Sequence, residues 1–221
     1  LSLRQILADA AKGVFPPPDG GVTVVAQPSP RDAGVLNLTA HAVVFADADP
    51  EWIRALLPPG DFSAPLNPPF LTALCERLGR QVNNIDLLTL APALPGPPPS
   101  ALGLALEPTK DRTHPRITRA LHHRDDVRAW TVPGGTLLIG RGVAGRWEAA
   151  VEVDPQARGA GLGRRLALAA RHLVPDGEPL WAQIAPGNAA SVRALLAAGY
   201  VPMGAETLLV PVRGGGAGPD G

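Results

Sequence analysis

The stretch Trp147–Leu166, WEAAVEVDPQARGAGLGRRL, limits what this chain can fold into more than any other segment. In Trp147–Asp154 the apolar residues Trp147, Ala149, Val151 and Val153 alternate with Glu148, Ala150, Glu152 and Asp154. Alternation of period two marks a strand with one greasy and one acidic face. Pro155 ends it, because proline brings no N–H to a ladder. Arg158-Gly159-Ala160-Gly161-Leu162-Gly163 follows. A helical pattern then runs through Leu162, Leu166, Ala169 and Leu173 and stops before Pro175.

A turn of this composition suits an anion. Small residues let the backbone curl so that several N–H groups converge. The new helix adds its free N–H groups and the positive end of its dipole. Arg158, Arg164 and Arg165 add full charges, so a phosphate or pyrophosphate is the natural guest. The dinucleotide pattern G-x-G-x-x-G fails, since counting from Gly159 puts Arg164 at its third glycine. The P-loop fails for want of a following lysine. The form present is R-x-x-G-x-G, from Arg158 through Gly161 to Gly163.

Downstream, Pro179–Ala185 reads as a strand, and Asn188, Ser191 and Gly199-Tyr200 are spaced as N-x-x-[AS], seven residues, then G-[FY]. With these two motifs in this order, the segment from about Ala101 to Val212 resembles the GNAT superfamily of acyl-CoA-dependent N-acetyltransferases. The resemblance implies an α/β (α+β) fold with a mixed, mostly antiparallel sheet flanked by helices. It implies acetyl-CoA as co-substrate and no metal. The central strand would bend from its neighbour, leaving a notch for the pantetheine arm. Binding would then fall to Val151, Val153, Arg158, Gly159, Ala160, Gly161, Leu162, Gly163, Arg164, Asn188 and Ser191, with Val153 at the oxyanion.

Direct transfer to an amine requires loss of a proton, since alkyl amines titrate near pH 10. It also requires a donor to the thioester oxyanion. Glu148 and Glu152, on one face of the central strand, are the candidate bases. Glu148 is preferred because it lies farther from the phosphate loop. The other reading makes both carboxylates solvated groups of the strand's acidic face, or structural partners for Arg146 and Arg128. Many members of the family carry a tyrosine four residues before the glycine of G-[FY]; here that position is Leu195. Tyr200, the single tyrosine, falls at a packing position. His122 and His123 are adjacent, so on a helix they diverge and make a poor metal pair. Two functions follow: an N-acyltransferase acting on a small-molecule amine, or a coenzyme A-binding regulatory module without turnover, which Leu195 keeps open.

The first half carries no motif of this kind. Helices are expected at Leu3–Lys12, Pro50–Leu57 and Asn67–Leu78, and strands at Gly21–Gln27, Val35–Asp47 and Asn84–Leu90. Pro92–Ser100 (PALPGPPPS) is stiff and extended and is taken as the boundary between an α/β segment, 1–95, and the domain 100–213. Beyond it, strands are expected at Ala101–Leu106, Val127–Val132, Thr136–Gly140 and Thr207–Val212, with a helix at Pro115–His123. Residues 214–221 are expected to be a disordered tail. Family members place two substantial helices between the first two strands, whereas Glu107–Asp126 has room for one. The first half is therefore expected to wall the acceptor pocket, with Trp52, Phe62 and Phe70 as the aromatic residues available. A net charge of zero gives no global attraction to nucleic acid or to a membrane surface. With one cysteine and a polar N-terminal stretch, a cytoplasmic protein is expected. Dimers are common in the family, so a homodimer is admitted.

Overall fold

The structure, a computed structural model, describes residues 1–212; the tail expected at 214–221 lies outside the described residues. The elements of the first half are α1 (Leu3–Ala10), β1 (Val22–Val25), β2 (Ala33–Leu38), β3 (His41–Phe45), α2 (Pro50–Ala55), α3 (Pro68–Leu78) and β4 (Arg80–Ala91). Those of the second are β5 (Glu107–Thr109), α4 (Pro115–His123), β6 (Asp125–Val132), β7 (Gly135–Arg141), β8 (Trp147–Val153), α5 (Leu162–Leu173), β9 (Leu180–Ile184), α6 (Ala189–Ala197) and β10 (Val201–Pro211). The described strands form one ten-stranded sheet in the order β1-β3-β2-β10-β4-β9-β8-β7-β6-β5. Only β1–β3 and β8–β9 are parallel, so the sheet is mixed and mostly antiparallel, as expected.

Alternation along the strands assigns helices to both faces. Leu137, Ile139, Trp147 and Ala149 pack under Leu162, Leu166 and Ala170 of α5. Leu138 and Ala150, pointing the other way, meet Ile117 and Ala120 of α4. In the first half, Leu36, Leu38 and Val43 pack on Leu3, Ile6 and Leu7 of α1. Val35 and Val44 pack on Ile53 of α2 and Leu71 and Leu74 of α3. Thus α1 and α4 share the face that carries Glu148, and α2, α3 and α5 cover the other. Local signals explain the ends: Asp49 caps α2 by accepting from the Glu51 N–H, and Gly79 ends α3 with φ 62°.

Three expectations are corrected. Val35–Asp47 is not one strand but β3 and part of β2, joined by a two-residue turn in which Thr39 and Ala40 have φ 48° and 56°. That turn ordinarily draws asparagine and glycine, and here neither residue signals it. Ala101–Leu106 is not a strand; the edge strand is Glu107–Thr109, after a short 3-10 turn at Ser100–Leu102. The last strand starts at Val201 rather than Thr207. The chain also crosses Pro92–Ser100 without dividing the sheet, because β10 lies between β2 and β4 and β4 lies against β9.

Gly34 shows how tightly β10 is inserted. A Cβ there would meet the Thr207 carbonyl oxygen and lie 2.8 Å from Phe45 Cζ. Gly34→Ala is expected to cost about 1–3 kcal/mol through overpacking, read as a lower urea midpoint. An unchanged midpoint would show that β2 and β10 can separate freely.

Candidate functional site

A cleft opens where β8 and β9 part. These strands are in register only at Trp147↔Leu180 and Glu148↔Trp181. Beyond that point β8 stays on β7 as far as Val153↔Gly135, and β9 stays on β4 as far as Ile184↔Leu87. Each strand keeps its outer partner, so the edges between them are left open to a cleft of about 1020 Å³. That volume suits a ligand of cofactor size.

The Gly/Arg loop forms one wall. Pro155–Ala157 makes a single 3-10 turn, and Gly159 and Gly161 then take φ 82° and 73°, which glycine adopts without strain. Gly161 begins α5, with no side chain capping the helix and no acidic residue in its first turn. The first N–H groups of α5 are therefore free of a competing carboxylate, beside Arg158 and Arg164. At Gly163 a Cβ would sit in ordinary contact with Val153 Cγ2 and Ala194 Cβ, at 3.5 and 3.8 Å, so this glycine marks close packing of α5 on β8 and α6 without excluding alanine. Arg158 Nε donates to the Val153 carbonyl at 3.3 Å, tying the loop back to the strand. The cleft gathers the binding residues expected from sequence with one exception. Ala160 instead faces an adjoining hollow of about 280 Å³ with Arg164 and Arg165. Asn188 and Ser191 line the cleft, but the Asn188 Oδ1 already accepts the Ser191 N–H at 3.1 Å as the cap of α6.

The two carboxylates proposed as bases occupy different environments. Glu148 is 3% exposed. One of its oxygens accepts from Arg146 Nε (2.9 Å), the Val143 N–H (3.3 Å) and Gln183 Nε2 (3.3 Å), and the other from Arg124 Nε (2.9 Å). Burial by itself would raise this carboxyl, but the Arg146 and Arg124 guanidiniums outweigh it and hold the group below its ordinary range. The partners are Arg146 and Arg124, not Arg128. So bound, Glu148 is a poor proton acceptor, which corrects the preference for it over Glu152. Glu152 is paired with Arg116 Nε at 2.8 Å and is partly open to the cleft.

Beneath Glu148 lies a residue that no motif signals. Glu206 on β10, 1% exposed, accepts from Arg146 Nη2 at 2.7 Å and Gln183 Nε2 at 2.6 Å. Its position follows only from the pairing of β10 with β4, which sets it opposite Asp86.

The rest of the lining corrects the expected wall. From the first half come Arg31, Asp32, Asn83, Asn84 and Asp86, not the aromatic residues. Phe70 of α3 lies in the core, Trp52 of α2 packs partly buried against it, and Phe62 is exposed. Helix α4 presents Arg116, Arg119 and His123 at helical spacing. Burial and the neighbouring Arg119 and Arg124 lower the His123 pKa, favouring the neutral ring. Burial, then the facing Glu206, raise the Asp86 pKa. Leu195 lines the cleft at the position where the resemblance would put a tyrosine, while Tyr200 is buried and donates to the Ala167 carbonyl at 3.4 Å. Burial raises its hydroxyl further above the physiological range, so it stays protonated.

No family model and no curated protein matches this sequence. Among solved structures, a GCN5-related N-acetyltransferase from Kribbella flavida is similar over 65% of this chain and 64% of its own, at 18% identity and a TM-score of 0.44. A chain assigned to the GNAT family of acetyltransferases, from Novosphingobium aromaticivorans, is similar over 61% of this chain and 68% of its own, with 21% identity and a TM-score of 0.42. A conserved protein of unknown function from Staphylococcus epidermidis is similar over 66% and 68%, with 15% identity and a TM-score of 0.40. The matched part thus spans just under two thirds of the first of these structures.

Proposed function

We propose that this chain is an acyl-CoA-dependent N-acyltransferase that moves an acetyl group from acetyl-CoA to a small amine. The observation that carries the proposal is the parted pair β8 and β9, with the glycine-arginine loop and the uncapped start of α5 at the mouth of the gap. Unpaired strand edges suit an extended amide chain such as pantetheine, and the α5 start suits its pyrophosphate. In this reading Gly159, Ala160, Gly161 and Leu162 supply backbone, and Arg158 and Arg164 supply charge. Val151 and Val153 offer their backbone to the acyl arm, Val153 at the oxyanion.

The acceptor nitrogen arrives as an ammonium and gives up a proton to Glu152, directly or through water. It then attacks the thioester carbon, and the C–S bond breaks as the amide forms. The nitrogen loses its second proton as the thiolate leaves and takes one up. Leu195 has no proton to offer, so water in the open cleft protonates the sulfur. The net change is an ammonium and a thioester converted to an amide, a thiol and a proton.

Leu195 also favours a second reading, a coenzyme A-binding module without turnover. Acetyl-CoA binding by calorimetry, followed by thiol release in the presence of an amine panel, separates the two. Binding with amine-dependent release supports the transferase; binding without release supports the module; no binding overturns both.

A further inference from the structure

The polar groups of the cleft away from the phosphate loop are mostly committed to one another. Arg124 is bound to Glu148, Arg116 to Glu152, and Arg31 to Asp32 and Asp125. Asp86, Arg119 and, on α6, Arg193 are not. Among the described residues, Asp86 makes no ion pair, and its one side-chain partner is the Asn84 amide at 2.7 Å. The Arg119 side chain on α4 makes neither an ion pair nor a hydrogen bond among the described residues. Both line the cleft. They feel each other's charge without closing to ion-pair distance, so a gap remains between opposite charges.

The location of that gap matters. Register places Asp86 on the face that carries Glu148, Gln183 and Glu206, just past the last β4–β9 pair, Leu87↔Ile184, and so at the open end of the gap between β8 and β9 rather than where they part. Asp86 also faces Glu206, so it gains from a cation brought near it. Among the described residues no side chain supplies that cation at bonding distance. Arg119 and His123 overhang the same space from α4, in a cluster with Arg124 and Arg31, and among the described residues no carboxylate stands at ion-pair distance from Arg119. One pole of the acceptor space therefore lacks a cation and the other lacks an anion.

We propose that the acceptor is an amine that also carries an anionic group, held with its ammonium on Asp86 and its anion on Arg119. The proposal rests on the acyltransferase reading and narrows its substrate class. Carboxylate and phosphate both satisfy a guanidinium fork. Neutral amines leave Arg119 unmatched, and diamines set a second cation against it.

The test compares paired acceptors by acetyl-CoA-dependent thiol release: β-alanine against β-alaninamide, and phosphoethanolamine against ethanolamine. At least a tenfold higher kcat/KM is expected for the anionic member of one pair, and which pair shows it tells carboxylate from phosphate. Arg119→Gln should shrink that ratio toward one, mainly through KM. Asp86→Asn should raise KM for every amine. Equal kcat/KM within both pairs, or a preference that survives Arg119→Gln, overturns the proposal and leaves the transferase reading intact. Thiol release with no acceptor at all overturns the transferase reading. Ligand-observed NMR binding of the same four probes then decides this one, and it fails if the anionic members bind no better than the neutral ones.

Discussion

Replacing Arg146 by leucine is expected to cost about 3–5 kcal/mol of stability, a large share of the 5–15 kcal/mol typical of a folded protein. Arg146 is buried between two buried carboxylates, with its Nε on Glu148 at 2.9 Å and its Nη2 on Glu206 at 2.7 Å, and its guanidinium lies 5.3 Å from the Trp181 ring centre. Leucine fills some of the volume but leaves Glu206 with only the Gln183 amide and Glu148 with Arg124 and neutral donors. The cost is that of uncompensated charge, not of a lost attraction. The triple variant Arg146→Leu, Glu148→Gln, Glu206→Gln should therefore regain much of the loss, whereas deletion of an ordinary stabilising contact would not be rescued this way. The pH dependence separates the two accounts further. Because the folded Glu148 carboxyl sits below its ordinary value, its contribution is present above the unfolded pKa, about 4.3, and is lost as pH falls through the folded one. In Arg146→Leu the guanidinium that lowers it is gone, and the variant should recover ground on wild type as pH drops from 7 to 5. Urea unfolding at both pH values measures this. A deficit under 1 kcal/mol, or one independent of pH, would mean that the network contributes little.

The same network shows where the sequence is informative and where it is not. The strand, loop and helix of Trp147–Leu173 are legible because each is encoded locally: alternation, two glycines in left-handed conformation, and a helical repeat. Helix α4 is legible to the residue for the same reason, with Pro115 at its start and a β-extended residue at its end. What fails is what depends on distant pairing. Glu148 reads as a free carboxylate on an acidic face, since nothing in WEAAVEV says that Arg124 will arrive from the end of α4 or that Gln183 will arrive from β9. Glu206 and Asp86 come together only because β10 pairs with β4 across a stretch of more than a hundred residues. The Thr39-Ala40 turn is missed because two residues that seldom take positive φ are held there by β2–β3 pairing. The aromatic residues expected in the wall lie elsewhere, since packing Trp52 of α2 and Phe70 of α3 against the sheet gains more than lining a polar cleft.

Gly161→Asp is expected to weaken acetyl-CoA binding by at least a hundredfold, about 2.7 kcal/mol. The position is demanding in two separable ways. Its φ of 73° strains any side chain, at roughly 1–2 kcal/mol for an L-residue other than asparagine or aspartate, which tolerate the region better. Its place at the start of α5 puts a new carboxylate where the anion of the ligand would meet the helix N–H groups. Space is not the issue, because a Cβ at Gly161 meets nothing within 4 Å. Fold stability should accordingly change little, and Gly161→Asn, with the same backbone demand and no charge, is the matched control. If the loop holds a pyrophosphate, asparagine should retain most of the affinity that aspartate loses, and Arg158→Ala should fall between them. The gap between aspartate and asparagine should also narrow as salt is raised, since exposed charges at this distance are screened. Equal losses would mean that the loop acts through its shape, with the charge of the guest carried elsewhere. No loss in either variant would remove the loop from the binding site and, with it, the ground for reading the parted strands as an acyl-CoA cleft.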